Sequence, residues 1–464
     1  MVAVFSYAVV QTLVVPALGL LQRELHTTST WSAWILSAFL LSSAVLTPLI
    51  SWLGDQYDKR RVMLGALAVF FCGCVGATAV SNIGEMIAAR VAQGAGLSLL
   101  PLSIAVIREV LPAERTHAAM GAVSGVIGAG AGLGLVIGGL VADSLSWRYL
   151  FAVGAALIAL SFLLVASWVP SGTGHLRRPF DPVGAVLLAT ALSVLLVALT
   201  EGPAWGWDSA WVLGLFAATA VILAALAVAE TRMSDPLIDM RELVHRPTLM
   251  THSGAFIFGL MSFIFYVTLP AYEETPRAAA GYGFTASVTE SGLMLLPGAV
   301  TLLIAGAVTA RLAAKLGPRW PAAAGFALAA AGSLALLVAH TAIWEHAVWY
   351  AVIGAGSGLI VASMPLLLVR VVPPQRTSVT NGINNIFRTV GGVVGTQVAA
   401  AVLASGKLSS GIPAASSYST LFATAAVVCL VGVGVALLAV TSLQRGAPAD
   451  VVAPDRADSQ PARH

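Results

Sequence analysis

The chain has 464 residues, of which 58% are hydrophobic and only 10% charged, with a formal net charge of +3. Soluble globular chains carry about 25% charged residues, so the composition excludes a soluble fold and points to an all-α, multi-pass membrane protein. The small positive balance gives no ground for nucleic-acid binding.

A helix needs about 20 apolar residues to cross a bilayer. Fourteen stretches are predicted to do so. In chain order the first six are Val2–Leu21, Trp31–Leu53, Val62–Val80, Glu85–Leu111, Ala118–Asp143 and Tyr149–Val169. Val183–Leu199 and Ala210–Ala229 follow, between the polar linkers Pro170–Pro182 and Glu230–Pro247. The last six are Thr248–Tyr272, Ser287–Ala310, Pro321–Ala339, His346–Val369, Val379–Ala404 and Tyr418–Val440. No basic segment or cleavage site precedes the first stretch, so it reads as a retained span rather than a signal peptide. Its abrupt start leaves a longer natural N-terminus open. The polar end, rich in Pro, Ala and Asp, reads as a disordered cytoplasmic tail.

Positive charge supports this segmentation. With a cytoplasmic N-terminus, eighteen of the 24 Lys and Arg fall in inner loops or the tail, and four (Arg23, Arg148, Arg277 and Lys407) in outer loops. Arg90 and Arg388 lie inside spans. This asymmetry predicts a cell-membrane protein with both termini in the cytoplasm. Cys72, Cys74 and Cys429 lie in apolar runs without metal-like spacing to histidine, and read as small buried hydrophobes.

One stretch, Arg90–Gly139, returns 261 residues later. Val110, Pro112, Arg115, Thr116, Gly121, Gly130 and Gly134 match Val371, Pro373, Arg376, Thr377, Gly382, Gly391 and Gly395. A duplicated helical membrane unit is the usual build of a secondary transporter. The repeat sets an N-terminal six-helix bundle (1–170) against a C-terminal one (248–440). Linkers and an inserted helix pair (171–247) lie between them, and the tail (441–464) follows.

Three local patterns carry a resemblance. Ser51-Trp52-Leu53-Gly54-Asp55-Gln56-Tyr57-Asp58-Lys59-Arg60 joins the second and third spans. The fourth span carries Arg90-x-x-Gln93-Gly94-x-Gly96, and the fifth Gly130-x-x-x-Gly134-Leu135-x-x-Gly138-Gly139 followed by Trp147-Arg148-Tyr149. The chain therefore resembles the major facilitator superfamily, in its fourteen-helix drug:proton antiporter branch. Leu53, Asp55, Lys59 and Arg60 fit the family's loop signature, whereas Ser51, Gln56 and Asp58 depart from it. Leu135 replaces the proline of the exporter pattern. The resemblance implies multidrug efflux in exchange for protons, and a cytoplasmic gate in which Asp55 meets the other bundle and Arg115. Lys59, Arg60 and Arg61 belong to the same loop. The alternative for Asp55 is a solvated charge that only offsets these cations.

The candidate substrate path is read from polar residues within spans: Gln11, Arg90, Gln93, Asn381, Asn384 and Arg388. Asn381, Asn384 and Arg388 share one stripe by i+3 and i+4 spacing. A buried cation is costly unless it faces a cavity or a partner, so Arg388 either lines the path or anchors an interhelical cluster. Arg90 has the further option of snorkelling outward. Two cations favour a neutral or anionic small molecule as substrate. Gly130, Gly134 and Gly138, with Gly139, form a ridge expected to contact another helix, as packing or as a sliding surface between the bundles. The resemblance also implies an aspartate in the first span, but Val10 or Gln11 stands there. Glu290 and His252 are the substitute proton-coupling candidates, each with helix-end polarity as the plainer role. Glu85, Asp143, Glu273 and Glu274 gather near predicted outer ends. No nucleotide loop, metal cluster or catalytic triad is visible and the eight histidines are scattered, so no cofactor and no enzymatic activity are expected. The missing aspartate also keeps a sensor or an uncoupled facilitator open as an alternative.

Overall fold

A computed structural model describes residues 1–110, 113–171, 182–232, 243–369, 377–406, 408 and 411–441. Within those helices, the side chains of Asp55 and Arg115 lie outside the description, as does the predicted tail beyond Thr441. The described residues are helical almost throughout. Val2–Thr12 (α1) and Leu18–Glu24 (α2) are followed by Ser29–Gln56 (α3), Lys59–Ala79 (α4), Ile83–Gln93 (α5) and Leu99–Val110 (α6). Next come Ala113–Ser144 (α7), Arg148–Trp168 (α8), Pro182–Trp205 (α9) and Ala210–Arg232 (α10). Arg246–Glu273 (α11), Val288–Leu316 (α12), Arg319–Val338 (α13), Ile343–Val369 (α14), Thr377–Ser405 (α15) and Ala415–Thr441 (α16) complete the chain.

Thirteen helical segments among the described residues are long and apolar enough to cross a membrane. The predicted first span is different. Its apolar run breaks at Leu13–Ala17, leaving an 11-residue α1. Pro16 has no N–H to donate and its ring crowds the carbonyl four residues back. The chain answers with tighter bonds, Val15 N–H to Thr12 O at 2.9 Å and Ala17 N–H to Val14 O at 3.1 Å. Hydropathy alone hides such a break, because every residue in it is apolar.

The fourth predicted span is also interrupted. Gly94–Ser98 forms a 3₁₀ turn between α5 and α6. A Cβ on Gly94 would strike Ser42 and Ser43 of α3, and one on Gly96 would come within 2.6 Å of the Phe70 ring. The glycines let three helices cross at this point. Helix starts are capped as their residue types predict. The Asp58 carboxylate accepts from Arg60 N–H at 2.8 Å, and Asn82 from Glu85 N–H at 2.9 Å. Ser287 and Glu290 close a reciprocal capping box on α12.

Paired loops define two membrane faces. Lys59 reaches Glu109, and Arg60 bonds Ser171 at 3.1 Å, on one basic face. Arg148 bonds Val80 O at 3.2 Å on the opposite face. The broken α1–α2 segment passes from Ser6, bonded to Ser161 at 2.8 Å, to Gly19, where a Cβ would lie 3.3 Å from Glu274. Helices α1 to α8 pack as one set and α11 to α16 as another. The sets meet along α7–α12 and α3–α15, and α9 touches both α3 and α15. Cys74 and Cys429 are buried as expected, but Cys72 is exposed on α4. Two residues along a helix is just over half a turn, so Cys72 and Cys74 cannot share a face.

Candidate functional site

Gly130, Gly134 and Gly138 pack on α1 of their own set. A Cβ on Gly130 would lie 2.8 Å from Phe5 O, one on Gly134 2.6 Å from Val9 O, and one on Gly138 against Leu13 O. The repeat reproduces this docking, for Gly391 faces Phe256 O and Gly395 faces Leu260 O on α11. The ridge thus packs against a helix of its own set, as the packing reading expects, and is not the contact between bundles. That contact belongs to the adjoining stripe of α7. There a Cβ on Gly128 would meet Leu302 at 2.9 Å, one on Gly132 Ala299 at 2.7 Å, and one on Gly139 Thr289 at 2.5 Å. Of the four predicted glycines, only Gly139 faces the other set.

The docked α1 carries Tyr7 to the centre of the molecule. Tyr7 stacks on Phe39 at 6.0 Å between ring centres. The Arg90 guanidinium lies over the same Phe39 ring, 4.5 Å from its centre. Arg90 is fully buried. Its Nε donates to Ile35 O at 2.9 Å and its Nη1 to Gln93 Oε1 at 2.6 Å. Gln93 in turn donates to Gly73 O at 3.0 Å. Arg90 therefore does not snorkel. Nη2 of Arg90 and the Tyr7 hydroxyl are buried without a hydrogen-bond partner among the described residues. Leaving a buried polar group unpaired costs about 1–3 kcal/mol, so this corner is poised to accept a polar group.

From the other set, Arg388 donates through Nε and Nη2 to Asn385 Oδ1 at 3.0 and 2.6 Å. Tyr7 and Phe39 share an apolar cluster with Phe263, Tyr266 and Val393 of the other set. Each set thus holds one arginine within a span, Arg90 in the first and Arg388 in the second. The predicted Asn381–Asn384–Arg388 stripe divides. Asn384 turns away to Thr251 O at 3.3 Å and His252 Nδ1 at 3.2 Å, and Asn381 is half-buried. Gln11 is half-buried one turn beyond Tyr7 on α1. Sequence reasoning missed Tyr7, Asn385 and Tyr266. Asn385 was within reach, three residues before Arg388, but an aromatic ring in an apolar run carries no mark that separates a site from a core.

Beside Tyr266 lies a cavity of about 40 Å³, lined by Gly128, Ala131 and Leu135 of α7 and by Phe258, Ser262, Gly298, Ala299, Leu302 and Tyr350. It holds a few waters at most, since one water needs roughly 10–15 Å³ on this measure.

The gate residues Lys59 and Arg60 bond within their own set, to Glu109 and to Ala166 O and Ser171. Glu109 pairs with Lys59. Arg61 gives its backbone N–H to the Asp58 cap and is exposed. Glu290 is exposed in its capping box. His252 is fully buried, stacked on Phe387 at 5.1 Å between ring centres.

The opposite face holds the carboxylates. Asp143 accepts from Val288 N–H at 3.1 Å and Thr289 N–H at 2.6 Å, so the end of α7 caps the start of α12 across the two sets. A carboxylate at a helix N-terminus satisfies free N–H groups and opposes the helix dipole. Ser37 and Gln397 also bond across the sets at 3.2 Å. Burial pushes the Glu274 carboxyl up to about 8, against the pull of Arg23, while Glu273 and Asp143 add to the rise. Glu201 of α9 accepts from Trp34 Nε1 at 2.8 Å.

A family model described as Major Facilitator Superfamily matches residues 1–396, and again 251–459. The chain belongs to the Major Facilitator Superfamily. It is therefore a secondary transporter with a small-molecule substrate, not an enzyme. Its relatives include the tetracenomycin C resistance and export protein of Streptomyces glaucescens, 27% identical over 87% of this chain and 74% of the relative. The methylenomycin A resistance protein of Streptomyces coelicolor is 28% identical over 82% of this chain and 80% of the relative. Among solved structures, the human organic anion transporter MFSD10 superposes with a TM-score of 0.66 at 16% identity, over 94% of this chain and 97% of that one. An auto-inhibited POT family peptide transporter gives 0.67 at 17% identity, over 98% of each chain. These superpositions establish the superfamily fold.

Proposed function

We propose that this transporter is a proton-coupled exporter of small organic, drug-like molecules that are neutral or anionic, working by alternating access. The observation that carries the reading is that Tyr7 and the buried Arg90, both packed on Phe39, join a cluster with Phe263, Tyr266 and Val393 of the other set, whose α15 also carries Arg388. A site shared by both sets is remade whenever they rock, as alternating access requires. Two arginines within spans favour an anion or a polar neutral group over a cation. Distant relatives named for antibiotic resistance and export support the outward direction.

In this reading the N-terminal set (1–170) and the C-terminal set (248–440) are the rocking bundles. The broken α1–α2 segment serves as the fourteenth crossing, both termini are cytoplasmic, and Asp55 with Arg115 forms the cytoplasmic gate. Proteoliposome flux of neutral and anionic fluorescent dyes, with and without a proton gradient, tests the coupling. Flux that ignores the gradient would favour an uncoupled facilitator, the reading suggested by Val10 and Gln11 in place of an acid. Arg388→Ala is expected to abolish flux while the protein still reaches the membrane at wild-type abundance. Normal export by that variant would remove the central site.

A further inference from the structure

The central site has two fixed cations and no group that changes charge near neutral pH. Such a pair lies elsewhere. Glu273, at the end of α11, and His346, in the first turn of α14, are both buried, at 1% and 0% exposure. His346 Nδ1 is 3.1 Å from Glu273 Oε1, and Ser291 of α12 donates to Oε2 at 2.7 Å. His346 Nε2 is buried and has no partner among the described residues. No cation other than His346 itself acts on Glu273.

Aromatic rings and acids surround the pair. The rings of Tyr272, beside Glu273 on α11, and of Phe284 stack within 5.0 Å of His346. His340, which precedes α14, and Tyr418 of α16 surround Tyr272 at 5.5 and 5.2 Å. Tyr350 lies one turn further along α14. Glu345 is a half-buried helix cap and Glu290 an exposed one, and Glu274 and Asp143 are acids. Arg23 lies beside Glu274, where both approach Gly19.

Proton counting then follows from charge. With a carboxylate on Glu273 and neutral His346 the pair carries net charge −1. One more proton, on either partner, makes it neutral. A net charge enclosed without a counter-charge is strongly disfavoured. The conformation with the Asp143 contact made therefore favours the neutral pair, and losing the proton calls for water there.

The pair is wired to the contact between sets. The backbone carbonyl of Glu273 accepts from Ala286 N–H at 3.0 Å and Phe284 N–H at 3.3 Å, fixing the loop that leads into α12. Ser291 sits one turn inside that helix. The first N–H groups of the helix, at Val288 and Thr289, are the ones that hold Asp143 of the other set.

We propose that Glu273 and His346 together form the proton-binding site of this transporter, and that loss of their proton releases the Asp143 latch and opens the opposite face. This rests on the proton-coupled reading given above. It is tested without any substrate, on full-length protein in lipid nanodiscs. Spin labels go at Leu145→Cys on the N-terminal set and Ile343→Cys on the C-terminal set, both exposed at that face, with the exposed Cys72→Ser. The label distance is read by pulsed electron resonance as pH is varied.

The labelled parent is expected to pass from a short to a long distance as pH rises. Glu273→Gln, which fixes the neutral form, stays short throughout. His346→Gln moves or removes the transition, and Glu24→Gln, an exposed acid apart from the pair, keeps the parent response. A parent distance that ignores pH, or a Glu273→Gln variant that responds like the parent, overturns the proposal. Gradient-driven export combined with a pH-insensitive distance would sink this inference alone. Export without gradient dependence would sink the reading beneath it.

Discussion

The two copies of the repeated stretch dock alike but carry different contents. On α7, Gly130 and Gly134 seat Phe5 and Val9, and on α15, Gly391 and Gly395 seat Phe256 and Leu260. The register of the docking is kept to the residue. Yet the position that is Ile127 on α7 is Arg388 on α15, three residues ahead of the first docking glycine in each case. Close backbone approach fixes the frame, because nothing larger than hydrogen fits there. The neighbouring face is free to vary, and only the second copy uses it for a charge. Frame and charge thus occupy different stripes of the same helix.

The comparison can be broken most severely at the frame. Gly134→Val and Gly395→Val each drive a side chain into a backbone carbonyl that cannot step aside. Each is expected to cost about 3 kcal/mol or more, read as a large fall in unfolding temperature and in the folded fraction after detergent extraction. Equal losses support equivalent docking, and a tolerated valine in either copy would end the argument.

The stripe that carries function is expected to separate activity from stability. Arg388→Lys keeps the charge but loses the planar fork that gives Asn385 two bonds. Export is expected to fall well below wild type, with the unfolding temperature little changed. Ile127→Arg, which places a second cation at the matching position, tests whether α7 also faces the path.

A smaller effect is expected at the opposite face. Glu274 in the folded protein holds its proton to higher pH than in the unfolded chain. Its contribution to stability is complete below the unfolded value and is lost as pH rises through the folded one. The unfolding temperature should therefore fall as pH is raised from about 5 to about 9, and Glu274→Gln should flatten that slope. An unchanged slope would remove the assignment. The smallest effect is a gain. A Cβ on Gly382 meets nothing within 4 Å, so Gly382→Ala in the first two turns of α15 should stabilise by about 0.5–1 kcal/mol.

These contrasts mark what the sequence makes legible. Span positions follow from transfer of apolar side chains into lipid, a property summed over many residues, and all but the first predicted stretch are found within a few residues. Arg90 and Gln93 are three apart on one helix, so their bond was readable from spacing. The division of the asparagine stripe was not, since Asn384 and Asn385 differ by about 100° around the helix and only the packed neighbour selects which one faces Arg388. Glycine spacing reveals a shared face and leaves its partner unnamed. Glu273 and His346 are 73 residues apart, and each alone looks like a polar helix end. Their shared predicted depth was the one available clue.

The α9 helix has a consequence for how a lipid-dissolved molecule enters. It is tied to the N-terminal set by Trp34 and Glu201. It also joins a small apolar cluster in which Ala44 of α3, Leu188 and Leu192 of α9, and Ile386 of α15 meet. It therefore roofs the α3–α15 seam against the surrounding acyl chains. The α7–α12 seam has no such roof among the described residues, and the cavity beside Tyr266 is lined from that side by Gly128, Ala131 and Leu302. The two seams between the sets are therefore unequally covered toward the surrounding lipid.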